Sequence, residues 1–140
     1  MDKFSIYGFL GVVGSIIAQY LGGFDAAIVT LLCFMAVDYL TGLIVAGVFK
    51  KSGKTASGAL SSAAGWRGLC KKAVVILIVG ATAQFETYSG THFLRDAVVI
   101  AYMANEGISI IENCGLMGVP IPGKLKAAIA ALQDKEETEK

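Results

Sequence analysis

Asp38 is the one charge inside the long apolar run that follows Asp25, and it falls near the middle of that run. If the run crosses a bilayer, a charged carboxylate there costs roughly 2.5–3.5 kcal/mol on insertion scales. Two states relieve that cost. One is a neutral acid; the other is a carboxylate held by donors such as Asn105 or Tyr102. Either state would respond to water entry, while a plain helix-packing hydrogen bond at Asp38 would have no switching role. A second group of polar residues has helical spacing. Tyr102, Asn105, Glu106, Ser109, Glu112 and Asn113 follow steps of three and four, so they share one helix stripe. Arg95 continues the stripe outward. The opposite face carries Ile100, Met103, Ala104, Gly107, Ile110 and Ile111. Polar groups in hydrocarbon need partners or water. The stripe therefore forms a buried seam between subunits, lines a pore or lesion, or relays protons or ions.

Other chemistry finds little support. There is one histidine, His92, and it lies in a turn, so neither a serine nor a cysteine gains a nearby base. Cys33, Cys70 and Cys114 are an odd number at unrelated spacings, which reads as three reduced thiols and no metal site. No glycine cluster has the strand–turn–helix setting of a phosphate loop. The expectation is a non-enzyme without cofactor or metal.

The elements that must position these residues are oily. Of 140 residues, 55% are apolar and 16% charged, mean hydropathy is +0.65, and net charge is +1. Soluble domains run nearer a quarter charged. The charges gather at Met1–Lys3, Lys50–Lys72, Glu86–Asp96 and Lys124–Lys140, and few lie between. The fold class expected is all-α: an integral membrane helical domain over residues 1–115. Its approximate spans are 4–22, 24–49, 73–88 and 93–113, with the last the poorest by hydropathy and a three-span version open. The first span reads as a retained anchor, since no small-residue cleavage motif follows it. Within it, Gly11, Gly14, Ser15, Ala18 and Gly22 repeat at four-residue steps, and Gly42 sits in the second span. Small residues so spaced let helix backbones approach closely. Gly22 to Asp25 reads as a tight turn.

Lys50, Lys51, Lys54, Arg67, Lys71 and Lys72 mark the stretch 50–72 as a basic loop without an acid. The positive-inside rule places it in the cytoplasm. Trp66 fits headgroup level, and a short interfacial helix over Ala56 to Leu69 would lie on anionic lipid. Nucleic acid is not an expected partner, because the patch lacks aromatic interleaving beyond Trp66. Two spans on either side of the loop put both termini in the cytoplasm. A fourth segment lying on the membrane would instead put the C-terminus outside. Residues 116–140 comprise a Gly/Pro turn with Pro120 and Pro122, a short amphipathic cytoplasmic helix with Leu125, Ala128, Ile129 and Leu132 on one face, and a charged, frayed tail.

Three segments, in this order, resemble a known family. They are VDYLTG at Val37–Gly42, RGLCKK at Arg67–Lys72, and NEGISIIENCGLMGVPIP at Asn105–Pro122. Together they look like the toxin-secretion/phage-lysis holin family, over roughly Met35 to Leu132. The third segment is the most specific. The family usually has about three predicted spans. The resemblance implies a homo-oligomer in the bacterial inner membrane that opens large lesions at a set time. A cell-wall hydrolase or an exported toxin then leaves the cytoplasm. Asp38, Glu106 and Glu112 match the family's acidic positions and Pro120 and Pro122 its exit turn, with no catalytic role implied. Two other classes stay open: a small ion or proton channel or transporter, and a regulatory subunit that antagonises another holin.

Overall fold

The computed structural model describes residues 2–139, and among them every regular element is helical. Helix α1 spans Lys3–Tyr20, α2 Ala26–Ile44, α3 Ser62–Ser89, α4 Leu94–Met117 and α5 Gly123–Glu139. A single wide turn of π-helix, Val45–Phe49, prolongs α2 to Lys50.

Local chemistry sets the boundaries. The expected turn forms at Gly22 and Gly23, both at positive φ. Gly22 is needed there twice over: at φ 79° a side chain is strained, and a Cβ would press on Ala83 and Arg95 at 3.1 Å. Asp25 then caps α2, its Oδ1 accepting from the Ile28 N–H at 3.0 Å. Ser61 caps α3 in the same way through Ala64 N–H. This cap starts a helix inside the Gly/Ser/Ala-rich stretch expected to be loop. The third helix therefore begins at Ser62 and not at Ala73, and no separate interfacial helix forms. Trp66, Arg67, Lys71 and Lys72 belong to α3, and the irregular loop shortens to residues 50–61. At the far end, Gly90 closes α3 in the left-handed conformation. The Pro122 carbonyl accepts from Leu125 and Lys126 N–H groups to open α5. That helix continues through the charged run expected to fray.

Helices α2, α3 and α4 form the bundle. The start of α4 meets the start of α2 and the end of α3 through Arg95, Asp25 and Glu86. Late α2 meets early α3 through Tyr39 and Gly65, and late α4 through Thr41 and Asn113. So α2 and α4 run parallel and α3 runs against both. Leu21, Ile28, Leu31, Met35, Val79 and Val99 make the core between them.

Helix α1 buries no residue. It is pinned at its end only: the Tyr20 hydroxyl donates to Leu77 O at 2.8 Å, and Gln84 Nε2 donates to Tyr20 O at 3.0 Å. Gly80 makes room for the Tyr20 ring, which a methyl group there would overlap. Gly11 and Gly14 face open space, so within one chain their small-residue face packs on nothing. Helix α5 folds back on α4, where Ile129 is buried against Gly107. Of the face expected for α5, only Ile129 is buried.

Outside the core the surface is oily. Phe4, Val12, Ile16, Val74 and Leu77 are each more than half exposed. Two helical stretches, Ala26–Phe49 and Ser62–Ser89, are long and apolar enough to cross a membrane.

Candidate functional site

The polar residues of the bundle gather into two knots. The first lies near the middle of α2 and α4. Asp38 projects from α2, Glu106 from α4 and Lys72 from α3, and the Lys72 ammonium donates to both carboxylates. Its Nζ is 2.7 Å from Asp38 Oδ2 and 2.5 Å from Glu106 Oε2. Asn113, one face-sharing step further along α4, donates from Nδ2 to Asp38 Oδ1 at 3.1 Å, to the Asp38 carbonyl at 3.2 Å and to Thr41 Oγ1 at 2.9 Å. Asp38, Glu106 and Asn113 are buried, and Lys72 is largely so. Among the described residues no buried side-chain nitrogen or oxygen is left without a partner. A buried ion pair without added hydrogen bonds is a poor arrangement; here the third helix and Asn113 supply them.

The second knot lies at the turn end. Arg95 is buried, and its guanidinium reaches across to the α1–α2 turn. Nε donates to Leu21 O at 2.7 Å, Nη2 to Gly23 O at 3.2 Å, and Nη1 to Asp25 Oδ2 at 2.8 Å and to Asp96 Oδ1 at 3.3 Å. The Arg95 backbone N–H donates to Glu86 Oε1 at 2.9 Å. Arg95 beside Asp25 holds that carboxyl below its ordinary value, and the N-cap bond from Ile28 adds to the effect.

The expected stripe is thus divided. Glu106 and Asn113 join Asp38. Arg95 belongs to the other knot. Tyr102, Asn105 and Glu112 make no ion pair or side-chain hydrogen bond among the described residues, and together with Ser109, which lies beside Asp38, they line a cleft of about 850 Å³ beside the first knot. The donors that hold Asp38 are Lys72 and Asn113, where Asn105 or Tyr102 was expected. Lys72 was read as a membrane-surface charge with Lys71. Helical geometry separates the neighbours: Lys71 stays exposed while Lys72 turns inward. The sequence held a signal for a buried cation, though not for which lysine supplies it. Three helices carrying two buried acids and one cation balance better with the cation placed between the acids.

Of the residues expected to serve packing, Gly42 lies 3.8 Å, measured from its would-be Cβ, from Asn113 Nδ2. Gly22 serves the turn and not a helix face. Lys50 ends the α2 extension at φ 52°, and Lys51 follows in the loop. Pro120 and Pro122 lie in the exposed turn between α4 and α5. Among the described residues no three His, Cys, Asp or Glu side chains gather as a metal site would require.

Comparison with known proteins follows the same region of chain. No solved structure matches. An uncharacterized protein of Listeria monocytogenes is 38% identical, covering 99% of this chain and 92% of its own length. The uncharacterized 14.9 kDa protein in the nagH 3' region of Clostridium perfringens is 36% identical, with 89% of each chain covered. Bacillus subtilis YqxH, also uncharacterized, is 32% identical over 79% of this chain and 74% of its own. The profile of the bacteriophage holin family matches residues 15–134, which takes in both knots, α2 to α4 and most of α5. With its two long apolar helices and oily exterior, this is a membrane protein, and it belongs to the bacteriophage holin family.

Proposed function

We propose that this chain acts as a holin. It associates with copies of itself in the bacterial cytoplasmic membrane and opens lesions through which a cell-wall hydrolase or another exported protein escapes. It does so without catalysis or cofactor. The observation that carries this reading is the Asp38–Lys72–Glu106 knot. Three charges on three helices satisfy one another only while those helices stay together. Separate the helices and each charge demands water, so a lesion wall becomes the next available refuge. Collapse of the membrane potential is the trigger that would release them.

On this reading α1 to α4 cross the membrane, the basic end around residues 50–61 faces the cytoplasm, and so do both termini. Helix α5, with its lysines and acids, cannot share hydrocarbon with α4. The spanning form therefore lifts α5 from Gly107 onto the cytoplasmic surface. The small-residue face of α1, with Gly11, Gly14, Ser15 and Ala18, is open for a second copy.

The test is induced expression in a bacterium, alone and with a cytoplasmic cell-wall hydrolase that lacks an export signal. Culture density, dye entry and release of a large cytoplasmic enzyme are followed. Abrupt lysis only with the hydrolase, with enzyme release, is the expected result. Asp38→Asn and Glu106→Gln should each shift its timing at equal expression; unchanged timing in both would sink the trigger. The cleft of about 850 Å³ beside the knot favours one rival, a small ion or proton channel. Leak of ions or dye without hydrolase escape would establish that rival. Insertion without any leak would instead indicate a regulatory subunit.

A further inference from the structure

The cleft beside the first knot has a second set of walls. It opens between late α2, early α3, late α4 and the 50–61 loop, and its floor is the Asp38–Lys72–Glu106 knot. Lys54, Arg67 and Lys71 line it as well. None of these three cations forms an ion pair or a side-chain hydrogen bond among the described residues. Lys54, though exposed, lies over α2: its Nζ is 3.9 Å from the point where a Cβ on Gly42 would sit. The two acids of the floor are already held by Lys72. Glu112, exposed, is the one lining acid that Lys72 does not engage. Three free cations against one free acid leave the cleft walls short of negative charge.

The backbone adds to this field. Ser61, Ala64 and Gly65, the cap and first turn of α3, also line the cleft. The positive end of a 28-residue helix thus faces the same space as the three cations. Beside it, Leu60 and Trp66 are exposed by 59% and 67%. An apolar leucine and an aromatic ring next to a cationic cleft match the depth where phosphates meet acyl chains.

We propose that this cleft binds a phosphate-bearing anion, and that the source is the headgroup of an anionic phospholipid of the cytoplasmic leaflet. Arg67 and Lys71 supply the charge from α3, and Lys54 closes over from the loop. The proposal rests on the membrane placement of the basic end given above; it does not rest on lesion formation.

The test uses the full chain in mild detergent, exposed to phosphatidylglycerol or phosphatidylcholine and read by native mass spectrometry. Phosphatidylglycerol should be retained over phosphatidylcholine. Retention should fall about tenfold or more in Arg67→Gln/Lys71→Gln, because each basic group near a charged lipid contributes on the order of 1 kcal/mol. Lys50→Gln/Lys51→Gln removes the same charge outside the cleft and should bind like the parent. Circular dichroism confirms that both pairs stay helical. Equal losses in the two pairs, or no preference between the lipids, would overturn the site. Retention of inorganic phosphate, lost in Arg67→Gln/Lys71→Gln, with phosphatidylglycerol not retained would keep an anion site and overturn the lipid as its source. Lysis assays on the same variants separate the two readings. Lysis without lipid retention refutes this site alone, and retention without lysis refutes lesion formation alone.

Discussion

The two polar knots use the same chemistry in opposite ways. At the turn end one cation, Arg95, gathers two backbone carbonyls and two carboxylates, Asp25 and Asp96, whose side chains are half exposed or more. At mid-bundle one cation, Lys72, is shared by two carboxylates that are both shut away. Water can replace a lost partner at the rim; it cannot reach the middle without moving a helix. The turn-end knot therefore shapes a turn, while the mid-bundle knot reports whether three helices are together. An identical ion pair can be scaffolding or a latch, and depth decides which.

The sharpest way to break this contrast is Lys72→Met. It leaves Asp38 and Glu106 facing each other with Asn113 as their remaining donor, and breaking a buried pair from one side costs roughly 3–5 kcal/mol. Thermal unfolding in detergent should show a large loss, and much of it should return in the background Asp38→Asn/Glu106→Gln. A parent-like melting curve for Lys72→Met would erase the distinction. Arg95→Gln should cost less, about 1–3 kcal/mol, because the freed Asp25 carboxylate is half exposed and water can take it over, leaving the buried Leu21 carbonyl as the main unsatisfied group. Its signature is local, with faster amide exchange at the α1–α2 turn than in the bundle. Global destabilisation equal to that of Lys72→Met would make both knots latches.

The smallest effect is a pH dependence. Arg95 depresses the Asp25 carboxyl below its ordinary 3.8. A depressed acid stabilises the fold fully above its unfolded value, and that contribution disappears as pH falls through the lower folded value. Stability should thus hold from neutrality down to about pH 4 with respect to this group, and decline below. Asp25→Asn should flatten that acid limb. An acid limb unchanged in Asp25→Asn would show that the rim pair contributes nothing to it.

Much of the fold could be read from periodicity. The turn at Gly22–Asp25, a long apolar second helix and the polar stripe of α4 all follow from spacing and composition. What could not be read depends on partners far along the chain. Lys71 and Lys72 are indistinguishable as sequence, yet one faces outward and the other meets an acid from each of two other helices. The start of α3 was hidden because its residues, from Ser62 to Gly68, look like loop; the Ser61 cap and the packing of Tyr39 over Gly65 and Gly68 hold them helical. The length of α5 was missed for a related reason. A charged run looks frayed until the helix ahead of it has Ile129 seated on Gly107. Asp38 was recognised as costly from its position alone, but its position says nothing about which donor relieves it.

With α2 to α4 spanning the membrane as proposed, the latch also constrains how the protein is made. Asp38 and Lys72 are 34 residues apart, and Glu106 is another 34 beyond. When α2 emerges from the ribosome its carboxylate has no counter-ion, and releasing it into lipid alone would cost roughly 2.5–3.5 kcal/mol. That cost is removed once α3 delivers Lys72. Glu106 then enters a site where a cation already waits. On the proposed membrane placement, the order of the charges along the chain predicts an order of insertion: the second helix stays at the insertion machinery until the third arrives, and the fourth docks on the pair they form.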